Sequence, residues 1–341
     1  MSRLLFICVV MCAILSCKKE IAQEKKDVSN VLVTPLLKDS LLNVRALEIY
    51  REEVVIATSQ GETFVLGKAD KEFKKLFQKD TTHNPNFRAL ALTDKSVFTI
   101  SIANPALLYK DGELVYKEDH DKVFYDAIEF WNDNEGIAIG DATDGCLSII
   151  ITRDGGNTWT KMSCEELPKG RYSAFAASDT NITIIGDKTW VATGGVQSTV
   201  LYSADKGYTW SEFKTPIIQG VETQGMYSID FYDEKIGFAI GGDYTIPEAN
   251  AENKIRTVNG GKTWELVAQN SGPGYRSCVQ FVPNQKGKEL VAIGFEGIDY
   301  SNDFGATWQH LSDDSFYTLR FLNDSIAYAA GKGSVARLVF K

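Results

Sequence analysis

The hydrophobic and polar positions of the chain repeat a short start in which apolar residues flank one polar position. It reads Asn43-Val-Arg45-Ala-Leu, Asn86-Phe-Arg88-Ala-Leu, Phe124-Tyr-Asp126-Ala-Ile, Arg171-Tyr-Ser173-Ala-Phe, Met226-Tyr-Ser228-Ile-Asp, Tyr275-Arg-Ser277-Cys-Val and Phe316-Tyr-Thr318-Leu-Arg. A second run of small and β-branched residues follows, as in Val54-Val-Ile-Ala, Gly237-Phe-Ala-Ile and Val291-Ala-Ile-Gly. Such runs suit inner strands buried on both faces. The pattern predicts an all-β chain built of repeated four-stranded units. The last unit has room for only three strands before Lys341, so residues 31–37, Val-Leu-Val-Thr-Pro-Leu-Leu, are expected to supply the fourth. Pro35 is tolerable there because an outermost strand leaves one edge unpaired.

Four turns punctuate the later units: Thr152-Arg-Asp154-Gly-Gly-Asn-Thr158-Trp159, Ser203-Ala-Asp205-Lys-Gly-Tyr-Thr209-Trp210, Thr257-Val-Asn259-Gly-Gly-Lys-Thr263-Trp264 and Ser301-Asn-Asp303-Phe-Gly-Ala-Thr307-Trp308. In each, the Asp or Asn can bond its own backbone ahead, glycine supplies a left-handed conformation, and the tryptophan plugs the turn. They recur at intervals of roughly 45–55 residues, the length of one four-stranded blade. These turns resemble the Asp-box (BNR) repeats of sialidase-like β-propellers. The resemblance implies a seven-bladed β-propeller over residues 31–341, with the boxes on the blade periphery and away from any substrate face.

The N-terminus predicts an exported protein. Arg3, the apolar run from Leu4 to Leu15, and Ser16-Cys17-Lys18-Lys19 have the layout of a signal peptide. About 12 apolar residues fall short of the roughly 20 that span a bilayer. Ile14-Leu15-Ser16-Cys17 resembles a bacterial lipobox, which implies cleavage after residue 16 and a lipid on Cys17. Residues 17–30 are charged and polar and are expected to form a disordered tether. The anchored protein is then placed at the cell envelope, on the periplasmic or outer-membrane face.

A formal net charge of −9 argues against a nucleic-acid partner, which would need a basic patch. Beyond the leader and Cys17, the cysteines Cys146, Cys164 and Cys278 read as buried small apolar residues, with a Cys146–Cys164 bridge left open. His83, His120 and His310 lack metal-ligand spacing and read as surface residues. With no dinucleotide fingerprint, haem motif or metal cluster, neither cofactor nor metal is expected.

Chemistry in such a ring belongs where the blades converge. Aligning the starts puts Arg45, Arg88, Asp126, Ser173, Ser228, Ser277 and Thr318 at one depth, lining a channel mouth. Just before them stand Tyr125, Tyr172, Tyr227 and Arg276, which either pack between blades or offer a stacking surface. The loops add Asp141 and Asp243. Arg45, Arg88 and Arg276 around these residues would suit a carboxylate, a sugar or a peptide end; Asp126 with Asp141 would suit acid–base work or a cation. Aspartates beside glycine also form turns.

Sialidases carry an Arg-Ile-Pro motif, an arginine triad and a Tyr/Glu pair. No Arg-Ile-Pro occurs here and no such pair can be assigned. From about residue 45 to the end the chain is more similar to bacterial propellers that resemble photosystem II stability and assembly factors, often labelled oxidoreductases. Asn104-Pro-Ala-Leu-Leu-Tyr-Lys, Gly140-Asp-Ala-Thr-Asp-Gly, Gly241-Gly-Asp-Tyr and Gly274-Tyr-Arg-Ser carry that similarity. It implies binding to other proteins, and the expectation is a monomeric, non-catalytic module that binds an envelope protein, a glycan or a small anionic ligand. A glycan-active hydrolase or lyase is the competing expectation.

Overall fold

A computed structural model of the protein describes residues 28–341, so the signal peptide and Cys17 lie outside the described residues. The described chain is all-β. Five sheets have four antiparallel strands in sequence order, and a sixth has seven. The seven-stranded sheet arises because Val31–Tyr50 serves twice. Residues 31–38 pair with Lys332–Phe340, whereas residues 44–50 pair with Glu53–Thr58. The N-terminal segment thus supplies the strand that the last three lack, as its apolar run predicts.

The first strands pack side by side in a ring. Val31–Tyr50 touches Phe87–Leu92, which touches Tyr125–Phe130, and the sequence continues through Ile182–Ile185, Gln224–Phe231, Cys278–Phe281 and Thr318–Phe321 back to Val31–Tyr50. Apolar clusters fill the spaces between neighbouring sheets.

The four glycine turns share one hydrogen-bond scheme. The first hydroxyl accepts from a glycine N–H, as in Gly156 N to Thr152 Oγ1 at 2.8 Å, and the Asp or Asn Oδ1 accepts from the threonine N–H. Gly156 and Gly305 have φ of +79° and +76°, and a Cβ on either would run into Phe98 or Phe238 of a neighbouring sheet. Asp154, Asp205, Asn259 and Asp303 therefore order turns that also seat one sheet on the next. The indole N–H of Trp210, Trp264 and Trp308 donates to a glycine carbonyl of its own turn; Trp159 is buried without such a bond.

One segment departs from the repeat. Residues 171–175 align with the other starts but are not the inner strand of their sheet, which is Ile182–Ile185. Residues 176–181 instead run buried through the middle of the ring. Asp179, at a left-handed φ of 59°, accepts the N–H of Leu90 on Oδ2 (2.8 Å) and of Ile128 on Oδ1 (3.2 Å). The Ser178 carbonyl accepts from Thr318 Oγ1, and the Ser178 hydroxyl donates to the Ser277 carbonyl. Thr180 bonds Ser228 through its hydroxyl and the Ile229 N–H through its carbonyl. Arg45 donates to the Ala177 carbonyl. This plug touches every other inner strand, and it closes the channel.

On the far side of the plug lies a cavity of about 200 Å³ lined by Glu48, Glu129, Asp179, Asp230 and Arg320 among others. Arg320 pairs with Glu48 at 2.6 Å. Burial, reinforced by Glu48, pushes Glu129 up to about 8; burial pushes Asp230 up to about 7.

Two outcomes follow from the plug and this cavity. Asp179→Ala removes the acceptors of two buried N–H groups and is expected to cost about 3 kcal/mol or more, with Asp179→Asn intermediate because it keeps one acceptor. Urea unfolding midpoints measure this; variants as stable as wild type would contradict it. Glu129 binds its proton more tightly folded than unfolded, so its contribution is full below the ordinary carboxylate range and is lost as pH rises through about 8. The advantage of Glu129→Gln over wild type should therefore grow from near zero at about pH 4 to on the order of 4 kcal/mol at about pH 8. An advantage that does not change with pH would refute the assignment.

Candidate functional site

The opposite end of the ring holds the larger cavity, a mouth of about 560 Å³ floored by residues 173–177 of the plug. A local irregularity repeated in the inner strands builds it. Pairing skips one residue between Val44 and Ala46, between Phe87 and Ala89, between Tyr125 and Ala127, and between Met226 and Ser228. The skipped residues are Arg45, Arg88, Asp126 and Tyr227. A bulge turns its extra side chain away from the ladder, and three of these four line the mouth.

The guanidinium of Arg45 lies 3.8 Å from the centre of the Tyr317 ring and donates to the Ala177 carbonyl at 3.0 Å; its Nε is buried without a partner. Arg88 donates to Asn86 Oδ1 at 3.2 Å and to the Ala176 carbonyl at 3.4 Å. Among the described residues, neither arginine has a carboxylate within ion-pair distance. Burial, followed by the like charge of Arg45, lowers Arg88 to about 10, and burial lowers Arg45. Backbone carbonyls therefore hold two desolvated cations in place without neutralising them.

Aromatic rings form the facing wall. Phe175 and Tyr227 stack with centroids 3.9 Å apart and planes within 3°, Tyr275 meets Tyr227 edge-on at 4.8 Å, and Phe295 lies 5.2 Å from Tyr275. The Tyr227 hydroxyl donates to the Thr223 carbonyl, which fixes the ring. Asp141 lines the mouth and accepts the Ala174 N–H at 2.8 Å; burial pushes it up to about 6.

Of the residues singled out from sequence, Arg45, Arg88, Asp141, Ser173 and Tyr227 converge here. Arg276 does not. It is buried against Asp299 at 2.6 Å, and Asp299 also meets His310, so the third arginine is already paired. Tyr125 and Tyr172 belong to the packing between sheets, with the Tyr125 hydroxyl on Glu118. Asp243 closes a turn by accepting from the N–H and hydroxyl of Thr245, bonds that hold it below the usual carboxylate range despite the opposing effect of burial. Asp126 lies fully buried beneath the lining.

Sequence alignment placed Ser228 at the depth of Arg45, but the bulge belongs to Tyr227, one residue earlier. The alignment also missed Phe175, Tyr244, Phe295 and Glu222. Phe175 was hidden because its segment looks like a strand. Cys146 and Cys164, whose bridge the sequence left open, form a disulfide with Cα atoms 5.5 Å apart, while Cys278 is free and buried. The bridge clips the loop after Asp141 to the segment that leads into Ala174.

No protein-family model matches the chain, and no curated protein matches it. Solved structures do match. YCF48 bound to a D1 peptide superposes with a TM-score of 0.66 at 11% identity, covering 93% of this chain and 99% of that one. YCF48 from Cyanidioschyzon merolae gives 0.60 at 12% identity, covering 92% and 98%. The Pan2 WD40 domain of Neurospora crassa gives 0.62 at 11% identity, covering 88% and 89%. At such identities the likeness is one of fold, and the chain is a β-propeller similar in architecture to YCF48 and to WD40-type propellers.

Proposed function

We propose that this protein is a non-catalytic binding module, anchored at the cell envelope through a lipid on Cys17, whose propeller mouth captures a segment of a partner protein. Dividing Val31–Tyr50 between the first and last blades makes the propeller seven-bladed, and the four glycine turns are its Asp-box elements. The observation that carries the binding reading is the pair Arg45 and Arg88, fixed by backbone carbonyls, without a carboxylate partner among the described residues and facing an aromatic wall. Unpaired, desolvated cations favour an anionic guest strongly. A fold neighbour seen with a bound peptide supports a polypeptide as that guest. The N-terminal leader pattern and the Cys146–Cys164 bridge both fit an exported protein.

The competing reading is a glycan-active enzyme. It would have to use Asp141 and Glu222, the carboxylates that line the mouth. A glycan hydrolysis screen separates the two readings.

Changing Arg45 and Arg88 together to Met keeps volume and removes charge. The double variant is expected to lose roughly 2–4 kcal/mol of partner affinity, about 30-fold or more, and to stay folded with a lowered unfolding midpoint, because the Ala176 and Ala177 carbonyls lose their donors. Quantitative capture of envelope proteins by wild type and variant measures this, with Cys17→Ala as the form expected to leave the membrane fraction. Equal capture by a folded double variant would overturn the proposal.

A further inference from the structure

The mouth holds an acid that its arginines leave unpaired. Asp126 occupies a bulge, as Arg45 and Arg88 do, but its side chain is fully buried and neither oxygen makes a hydrogen bond of normal geometry. Around it lie Asp141, Arg88 and the backbone N–H groups of Ala176 and Asp141; the two N–H groups favour the charged form without bonding well enough to secure it. An ionised carboxylate in that place would be a buried charge without a partner, which costs several kcal/mol. Burial, and after it Asp141, pushes Asp126 far above the ordinary range, and Arg88 does not reverse this. Asp126 is therefore a neutral acid, and it leaves the charge of Arg88 in place.

The charge of the mouth then depends on few groups. Arg45 and Arg88 are cationic, Asp141 is the anion deep in the wall, and Glu222 stands exposed at the rim. The hydroxyls of Tyr227 and Tyr275 are pushed up by burial and keep their protons; Tyr244 and Tyr317 complete the phenolic lining. An anion placed on the arginines adds a negative charge to the cavity that Asp141 also lines. Like charges at a desolvated site disfavour joint ionisation. Each guanidinium has already used one terminal N–H on a plug carbonyl, and what remains suits a small planar acceptor. The stacked faces of Phe175 and Tyr227 offer an apolar surface to whatever carries that acceptor.

We propose that the mouth binds a carboxylate together with a proton, the carboxylate lying against Arg45 and Arg88 while Asp141, next to the neutral Asp126, takes up the proton. This rests on the binding reading above and names its ligand chemistry and its linkage to pH. Asp141 is the group that titrates in the useful range, from about 6 upward as the anion arrives. Carboxylate affinity therefore rises as pH falls.

N-acetylphenylalanine is the probe, because it joins a carboxylate to an amide N–H and an aromatic ring, and its carboxyl is ionised throughout the range about pH 5.5–8. Its primary amide is the uncharged control. Calorimetry is expected to give about tenfold tighter binding at about pH 5.5 than at about pH 8, equivalent to a shift of one pKa unit. Near pH 6.5 the heat should depend on the buffer's ionisation enthalpy in the sense of proton uptake. Asp141→Asn keeps the acceptor for Ala174 N–H and is expected to bind at the higher pH as wild type does at the lower, with the pH dependence gone. Asp126→Asn should bind as wild type does at the higher pH, and Glu222→Gln should keep the pH dependence.

The carboxylate assignment falls if the amide binds as well as the acid, or if neither binds. Affinity that is flat with pH, or a dependence that survives Asp141→Asn, overturns the proton linkage. If partner capture still needs Arg45 and Arg88 in either case, the binding module stands and only this inference is lost.

Discussion

The structure depends on a buried polar segment that must be satisfied from all sides at once. Residues 176–181 lie in the centre of the ring without a strand partner for most of their length. Their polar groups would each cost free energy if left unpaired. Apart from the buried side-chain amide of Asn181, they are paired with Arg45, Leu90, Ile128, Ser228, Ile229, Ser277 and Thr318, which belong to or adjoin the inner strands of every other sheet. A propeller is otherwise held by apolar contacts between neighbouring sheets, which say little about registration around the ring. Asp179 and its neighbours add a directional constraint that crosses it.

The same segment shapes the mouth. Its carbonyls at Ala176 and Ala177 position Arg88 and Arg45, and Phe175 supplies half of the stacked aromatic pair. Carbonyl partners orient a guanidinium but leave its net charge intact, so the arginines stay fixed and unneutralised. Arg276 shows the contrast, since Asp299 at 2.6 Å removes it from any binding role. Preorganised charge in a desolvated cleft favours anion binding over exposed charge, because little ordering remains to be done when the ligand arrives.

Much of this was legible in the sequence because local patterns carried it. The glycine turns, the small β-branched runs and the apolar segment at residues 31–37 each encode one strand or turn, and the structure has them there. Arg45 and Arg88 could be found because repeats place equivalent residues at equivalent depth, Tyr227 because it precedes that position, and Asp141 because a joining loop carries it. The failures have a common cause, which is that tertiary partners do not show in a local pattern. Arg276 reads like Arg45 until Asp299 is beside it, and Asp126 reads like a mouth residue until it is seen under the lining. Residues 171–175 imitate a strand start, yet residues 176–181 leave the sheet for the channel. Phe175 was lost with them.

Residue-resolved hydrogen exchange tests the central role of the plug most directly. Leu90 and Ile128 donate their N–H groups to Asp179, and Ile229 donates to Thr180. If the plug holds the ring as one unit, these amides exchange only through global unfolding, with protection equal to the full stability measured by denaturant. Exchange of Leu90, Ile128 and Ile229 through a cheaper local opening, while strands such as Leu290–Gly294 stay fully protected, would mean that the plug is a passenger and the sheets hold the ring without it.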